Sequence, residues 1–152
     1  MFRKSSTESL ITKALNAIRD ETPAMYNAKA FTSSHITKQF FQLRLEGHER
    51  EHFDVLFLDN QHKMISCERM FSGTIDQASV YPREIVKEVL KVNAAAVIFA
   101  HNHPSGIPEP SKSDDALTSR LKSALELIAV RVLDHIIVGN NSTYSYQENG
   151  AL

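Results

Sequence analysis

The sequence predicts one α/β (α+β) layer domain. Three observations carry this. Segments with strand and helix periodicity alternate along most of the chain. The run Ala94 to Ala100 is wholly apolar, as a strand buried on both faces would be. Pro- and Gly-containing breaks separate the segments, with no long linker, repeat or low-complexity tract between them.

The elements follow in order. Leu10, Ile11, Ala14, Leu15 and Ile18 recur at helical spacing, which predicts an amphipathic helix over 6–20, capped by Ser6 or Thr7 and ended at Thr22-Pro23. A second helix starts near Ser33, with Ile36, Phe40 and Leu43 in register and Gly47 as its stop. Phe53 to Leu58 reads as a strand, Asp59-Asn60-Gln61 as a turn, and Lys63 to Phe71 as the returning strand of a hairpin. Pro82 suits the first turn of a third helix whose buried stripe would be Ile85, Val86, Val89 and Leu90. After the apolar run comes a Pro-, Ser- and Gly-rich loop over 102–112. Ser111 then caps a long helix with the stripe Leu117, Leu121, Ala124, Leu125 and Ile128. Val130 to Val138 and Thr143 to Tyr146 are the last two strands.

Composition bounds the function. The chain has 152 residues, 42% of them hydrophobic and 23% charged, an ordinary soluble globular balance. Net charge is -1, with 17 Lys and Arg against 18 Asp and Glu, so global charge gives no nucleic-acid footprint. A basic stripe around Arg120, Lys122 and Arg131 could serve a nucleic acid, though Lys and Arg on a helix are usually a solvated face. Cys67 is the single cysteine, which excludes an internal disulfide and a thiolate zinc site and predicts a cytoplasmic chain. No stretch reads as a membrane span or a signal peptide.

The most informative stretch is His101-Asn102-His103-Pro104-Ser105-Gly106, followed by Ser111 and Asp114. A strand entering a His-x-His pair places both imidazoles on one face, because strand side chains alternate. Asp114 falls in the first turn of the next helix. A stiff loop can fold that turn back over the strand end. Zinc takes imidazole nitrogen and carboxylate oxygen at roughly 2.0–2.2 Å, and three protein ligands with an open fourth position suit a catalytic ion. The competing reading is that the pair is fortuitous and that Ser111 and Asp114 are only a capping box. Asn102 points away from the histidines and is assigned no chemistry. His35, His48 and His62 read as surface residues, and His52 as facing away from Glu51. His135, in an apolar strand, reads as a satisfied buried histidine or an outer partner of the ligands.

The pattern His101-x-His103, seven residues, then Ser111-x-x-Asp114 resembles the JAMM motif of JAB/MPN metalloproteases. The longer text from Asn93 to Gly106 resembles the RadC family. So do Gly73-Thr74-Ile75, Val80 to Ile85 and Leu133 to Gly139. The resemblance covers roughly residues 35 to 150. It implies a JAB/MPN-like curved mixed sheet flanked by helices, with Zn2+ held by His101, His103 and Asp114. It also implies an upstream glutamate as general base, a position Glu51 matches best, with Glu68 and Glu84 as the other candidates. A carboxylate near a helix start, like Glu84, has a simpler explanation in the helix dipole. Ser111 would steady an oxyanion as well as cap the helix.

The expected organisation is an N-terminal helical extension over 1–34 and a RadC-like JAB/MPN metallohydrolase domain over 35–152. Longer RadC-like chains carry a helix-hairpin-helix module ahead of that domain. The residues before it here lack the module's Gly-rich hairpin, so the chain resembles the short members and direct nucleic-acid binding is expected to be weak or indirect. The expected activity is zinc-dependent cleavage of a peptide or isopeptide bond in a peptide or protein substrate. The alternatives are a DNA-repair-associated nucleic-acid-processing protein and a binding scaffold. A homo-oligomer is compatible with the sequence.

Overall fold

A computed structural model of the chain describes residues 10, 14, 31, 33–75 and 79–152. The expected helix over 6–20 and most of the extension over 1–34 lie outside the described residues. Helices α1 (Ser34–Leu45), α2 (Pro82–Val92) and α3 (Lys112–Glu126) flank strands β1 (Glu51–Leu58), β2 (Met64–Gly73), β3 (Ala96–Asn102), β4 (Arg131–Val138) and β5 (Thr143–Ser145). The strands form one mixed sheet in the order β2-β1-β3-β4-β5. Only β3 and β4 run parallel, joined by the crossover through α3, and the other neighbours are antiparallel. No helix among the described residues is long and apolar enough to cross a membrane.

The sheet is covered on both faces, which is why β3, its middle strand, is buried at every position. On one face Phe53, Val55, Phe57, Val97 and Phe99 pack with Ile85 and Val89 of α2 and Leu117, Leu121 and Leu125 of α3. On the other, Leu56, Leu58, Ile98 and Ile136 pack with Phe41 and Leu45 of α1. Each such side chain contributes roughly 1.5–3 kcal/mol on burial. Ser33 makes no side-chain cap on α1. A cap is worth about 1 kcal/mol, so packing rather than capping holds this helix.

Two expected helix faces shift. In α1 the buried residues are Thr37, Phe41 and Leu45, and Leu43 is 45% exposed. The sequence offers apolar residues at Ile36, Phe40, Phe41, Leu43 and Leu45, and the greasy patch on the sheet decides among them. In α2, Ile85 and Val89 are buried but Leu90 is 63% exposed, because one layer of contacts suffices for a helix at the domain edge.

The central strand starts two residues later than expected. Ala94 and Ala95 instead close the end of α2. Asn93 adopts the left-handed conformation, Ala94 N donates to Val89 O at 3.0 Å, and Ala95 N donates to Leu58 O at 2.8 Å. The strand then runs on to Asn102, pairing His101 with Phe53 of β1 and with Ile137 of β4. Strand β1 likewise starts earlier than expected, at Glu51, which pairs with Gly73. These extensions bring the histidines and Glu51 to one end of the sheet.

Candidate metal centre

His101 is the penultimate residue of β3, fully buried on the α3 side of the sheet beneath the ring of Phe53, at a centroid distance of 6.2 Å. His103 lies just past the strand. Its N–H donates to Val138 O at 2.9 Å, which keeps it aligned with β4. The loop then turns tightly, with Gly106 N donating to His103 O at 3.0 Å and Asn140 N donating to Gly106 O at 2.9 Å. Gly106 has φ +86, and a Cβ there would lie 2.5 Å from Asn140 Nδ2. Only glycine fits this turn. The turn aims the Ile107 carbonyl at His103 Nδ1, 2.9 Å away. A carbonyl only accepts, so Nδ1 carries a proton and Nε2 faces the site.

Asp114 arrives from the other side. Ser111 caps α3, its Oγ accepting Asp114 N–H at 3.1 Å, while Asp114 Oδ2 accepts Ser111 N–H at 2.9 Å. This reciprocal box fixes the carboxylate at the third helical position. The same carboxylate lies 3.2 Å from His101 Nε2 through Oδ1 and 3.1 Å from His103 Nε2 through Oδ2. The capping box and the ligand reading thus coexist in one side chain. The two Nε2 atoms are 3.1 Å apart. Ligand atoms of His101, His103 and Asp114 all lie within 4.8 Å of one another, the one such group among the described residues.

Electrostatics follow from this crowding. Burial alone would raise the Asp114 pKa, but the hydrogen bonds to His101 and His103 win and hold it well below the usual carboxylate range. Burial opposes charge on His103, yet Asp114, the Ile107 carbonyl and the negative charge of Glu51 raise its pKa.

Behind His101 stands a buried chain. His101 Nδ1 is 2.8 Å from His135 Nε2, and His135 Nδ1 is 2.6 Å from Thr118 Oγ1. Thr118 Oγ1 donates to Asp114 O at 2.8 Å. Burial keeps His135 neutral, its pKa well below that of a free imidazole. With the Thr118 proton on the Asp114 carbonyl, Thr118 accepts from His135 Nδ1–H and His135 Nε2 accepts from His101 Nδ1–H. His101 Nε2 is then a bare lone pair pointing at the site. The chain can also turn round, in which case His101 Nε2–H faces Asp114 Oδ1. Tyr146 stacks on His135 with centroids 5.0 Å apart, and its hydroxyl donates to Asp115 Oδ1 at 2.8 Å.

Glu51 is half-buried, and its Oε2 accepts the Ile75 N–H at 2.6 Å. It stands outside the cluster of three ligand residues. Glu68 lies opposite Val55, exposed halfway along the edge strand β2, and Glu84 is exposed on α2, 3.7 Å from Lys87. Arg131 of the expected basic stripe lies at the other end of the sheet. It pairs with Ala96, five residues of strand before His101 and so roughly 16 Å from it at strand rise. Cys67 lies outside the cluster as well, and burial pushes its thiol up to about 12.

Sequence reasoning missed Thr118, Tyr146 and the contacts of Asn102. Thr118 lies four residues beyond Asp114, which puts it on the same helix face, and that spacing was the available signal. Tyr146 and Asn102 act across long sequence separations that no local pattern reveals.

A mixed sheet whose middle strand delivers two histidines to a carboxylate at the start of the following helix defines a JAB-type domain. The chain belongs to the RadC-like JAB domain family, whose model matches residues 31–151. A UPF0758 protein of Vibrio cholerae serotype O1 is 56% identical over 124 residues, covering 82% of this chain and 78% of that protein. A UPF0758 protein of Methylibium petroleiphilum is 54% identical over 122 residues, covering 80% and 55% respectively. One from Haemophilus influenzae is 58% identical over 112 residues, covering 74% and 51%. The chain therefore spans about half the length of the latter two relatives.

Proposed function

We propose that this chain is a zinc-dependent hydrolase acting on peptide or isopeptide bonds of a peptide or protein substrate. The observation that carries the reading is the convergence of two imidazole Nε2 atoms and one carboxylate within 4.8 Å at a sheet end. The donor set fits the ion. Nitrogen and carboxylate oxygen without thiolate, three ligands in all, is the pattern of catalytic rather than structural zinc. His101, His103 and Asp114 would hold it. Once bound, zinc supplies Lewis acidity, polarising a carbonyl and bringing the pKa of a coordinated water to about 7.

The remaining work falls to the chain's own residues. Glu51 accepts a proton from the attacking water as the oxygen bonds to the substrate carbonyl carbon. It returns that proton to the amine nitrogen as the C–N bond breaks, so water is added across the amide with no further reagent. The hydrogen bond from Ile75 occupies Oε2 and leaves Oε1 for this transfer. Ser111 uses a lone pair for its cap and keeps its hydroxyl proton, which can donate to the developing oxyanion. The buried walls formed by Phe53 and His135 shield the His101 side from water.

The test is release of new amino groups from a peptide and isopeptide library by zinc-loaded protein, with His103→Ala as control. Cleavage by the native chain alone supports the reading. Equal cleavage by both would trace it to a contaminant and refute it.

A further inference from the structure

We infer that Asn102 is a positioning residue that ties the histidine-bearing strand to Glu51. It lies between His101 and His103 in sequence, but its side chain leaves by the opposite face and is buried, at 3% exposure. Its Oδ1 accepts the His52 N–H at 2.7 Å, and its Nδ2 donates to the Arg50 carbonyl at 2.9 Å. A third, longer contact of 3.5 Å runs from Nδ2 to His48 O. One amide thus grips the backbone on both sides of Glu51.

The geometry explains why an amide is needed. The ladder between β1 and β3 ends at Phe53 and His101. Beyond it, the His52 N–H and the Arg50 carbonyl, which face β3, bond to the Asn102 side chain. A buried N–H or C=O left unpaired is costly. The Asn102 side chain carries one acceptor and one donor, and supplies both. Reversing the amide would set N–H against N–H and oxygen against oxygen, so the contacts allow one orientation only. Glu51 is then held from three sides: by Asn102 through its neighbours, by the pairing with Gly73, and at its carboxylate by Ile75 N–H. The strand that presents His101 and His103 therefore also sets where the Glu51 carboxylate stands.

This inference rests on the role proposed for Glu51, yet the coupling itself can be read without any activity. In the native protein, a scalar coupling across the hydrogen bond from His52 N to Asn102 Cγ should be detectable by NMR. Asn102→Asp keeps the shape and the acceptor but sets a carboxylate oxygen against the Arg50 carbonyl. Asn102→Ala removes both contacts, and Asn102→Ser keeps one. Amide exchange at His52 and Ile75 should accelerate about tenfold or more in the Asp and Ala variants, while the middles of β3 and β4 stay unchanged. Zinc affinity should stay within about threefold, because the ligands are untouched, and kcat should fall about 10–10²-fold at unchanged KM. Unchanged exchange at both amides, or no coupling in the native protein, overturns the inference. Exchange accelerated throughout the sheet in all three variants also overturns it, since Asn102 would then serve the whole fold. If exchange responds as expected while the native chain neither binds zinc nor cleaves, the positioning stands and the hydrolase reading falls.

Discussion

Nε2 of His135 lies 2.8 Å from Nδ1 of His101, and neither imidazole is exposed to solvent. A histidine that binds metal through one nitrogen needs its other nitrogen oriented, and such outer partners commonly set metal affinity. His135→Phe keeps an aromatic ring for Tyr146 to stack on and removes the acceptor. We expect zinc binding about 10–100-fold weaker, read by competition with a chromophoric chelator. Thr118→Val should act in the same direction and less strongly, as it lies one hydrogen bond further back. Native affinity in His135→Phe would show that His101 is oriented by Phe53 and its strand alone.

Glu51→Gln should keep the fold and the metal but lose hydrolysis. Glutamine retains an oxygen to accept from Ile75 N–H and removes the basic site. General acid–base catalysis contributes about 10²–10⁴-fold, so kcat should fall by that factor in a progress-curve assay. Running Glu68→Gln and Glu84→Gln alongside should give native rates, since both lie away from the cluster.

The metal-free protein should show a characteristic pH dependence. Asp114 is depressed in the folded state, despite its burial, by its bonds to His101 and His103. It therefore contributes stability above its unfolded pKa of about 3.9, which is lost as pH falls through the folded value. His103 is raised, with burial opposing and Asp114 favouring the charged form. It contributes stability below its unfolded pKa of about 6.5, lost as pH rises through the folded value. The pair is thus fully stabilising between about pH 4 and 6.5. Urea midpoints of metal-free native protein and Asp114→Asn should differ most in that window and converge on either side. A constant difference across pH would contradict the coupling.

Asp54 tests the scaffold separately. Its carboxylate is fully buried on the α1 face, 2.6 Å from Arg44 Nε and 2.9 Å from Arg69 Nε. Asp54→Ala leaves two guanidiniums without their shared partner, and breaking a buried pair costs about 3–5 kcal/mol. Both arginines can turn to solvent, so we expect the lower end. The measurement is the urea unfolding midpoint. Metal stoichiometry should not change.

Much of this architecture is legible in the chain because local rules and the fold agree. Pro82 opens α2, Ser111 and Asp114 form the cap of α3, and the apolar run before His101 becomes the middle strand. The cluster of His101, His103 and Asp114 is legible for the same reason. Strand alternation and the first helical turn are short-range facts, and the cluster joins the end of one element to the start of the next. Legibility fails where tertiary contacts choose. Leu43 and Leu90 satisfy helical spacing but face outward, because the sheet patch selects Phe41, Leu45, Ile85 and Val89 instead. The grip of Asn102 on Arg50 and His52, and the stacking of Tyr146 on His135, join residues far apart in sequence. Alternation correctly sent Asn102 to the opposite face, but it gave no hint that the backbone around Glu51 waits there.

The central claim is that His101, His103 and Asp114 form one metal site, and metal stoichiometry tests it most directly. Elemental analysis of the purified native chain, with His103→Ala prepared in parallel, should give about one zinc per native chain and almost none in the variant, because two ligands hold zinc poorly. Zinc absent from native protein even after addition of the ion, or present at equal stoichiometry in His103→Ala, would contradict the account.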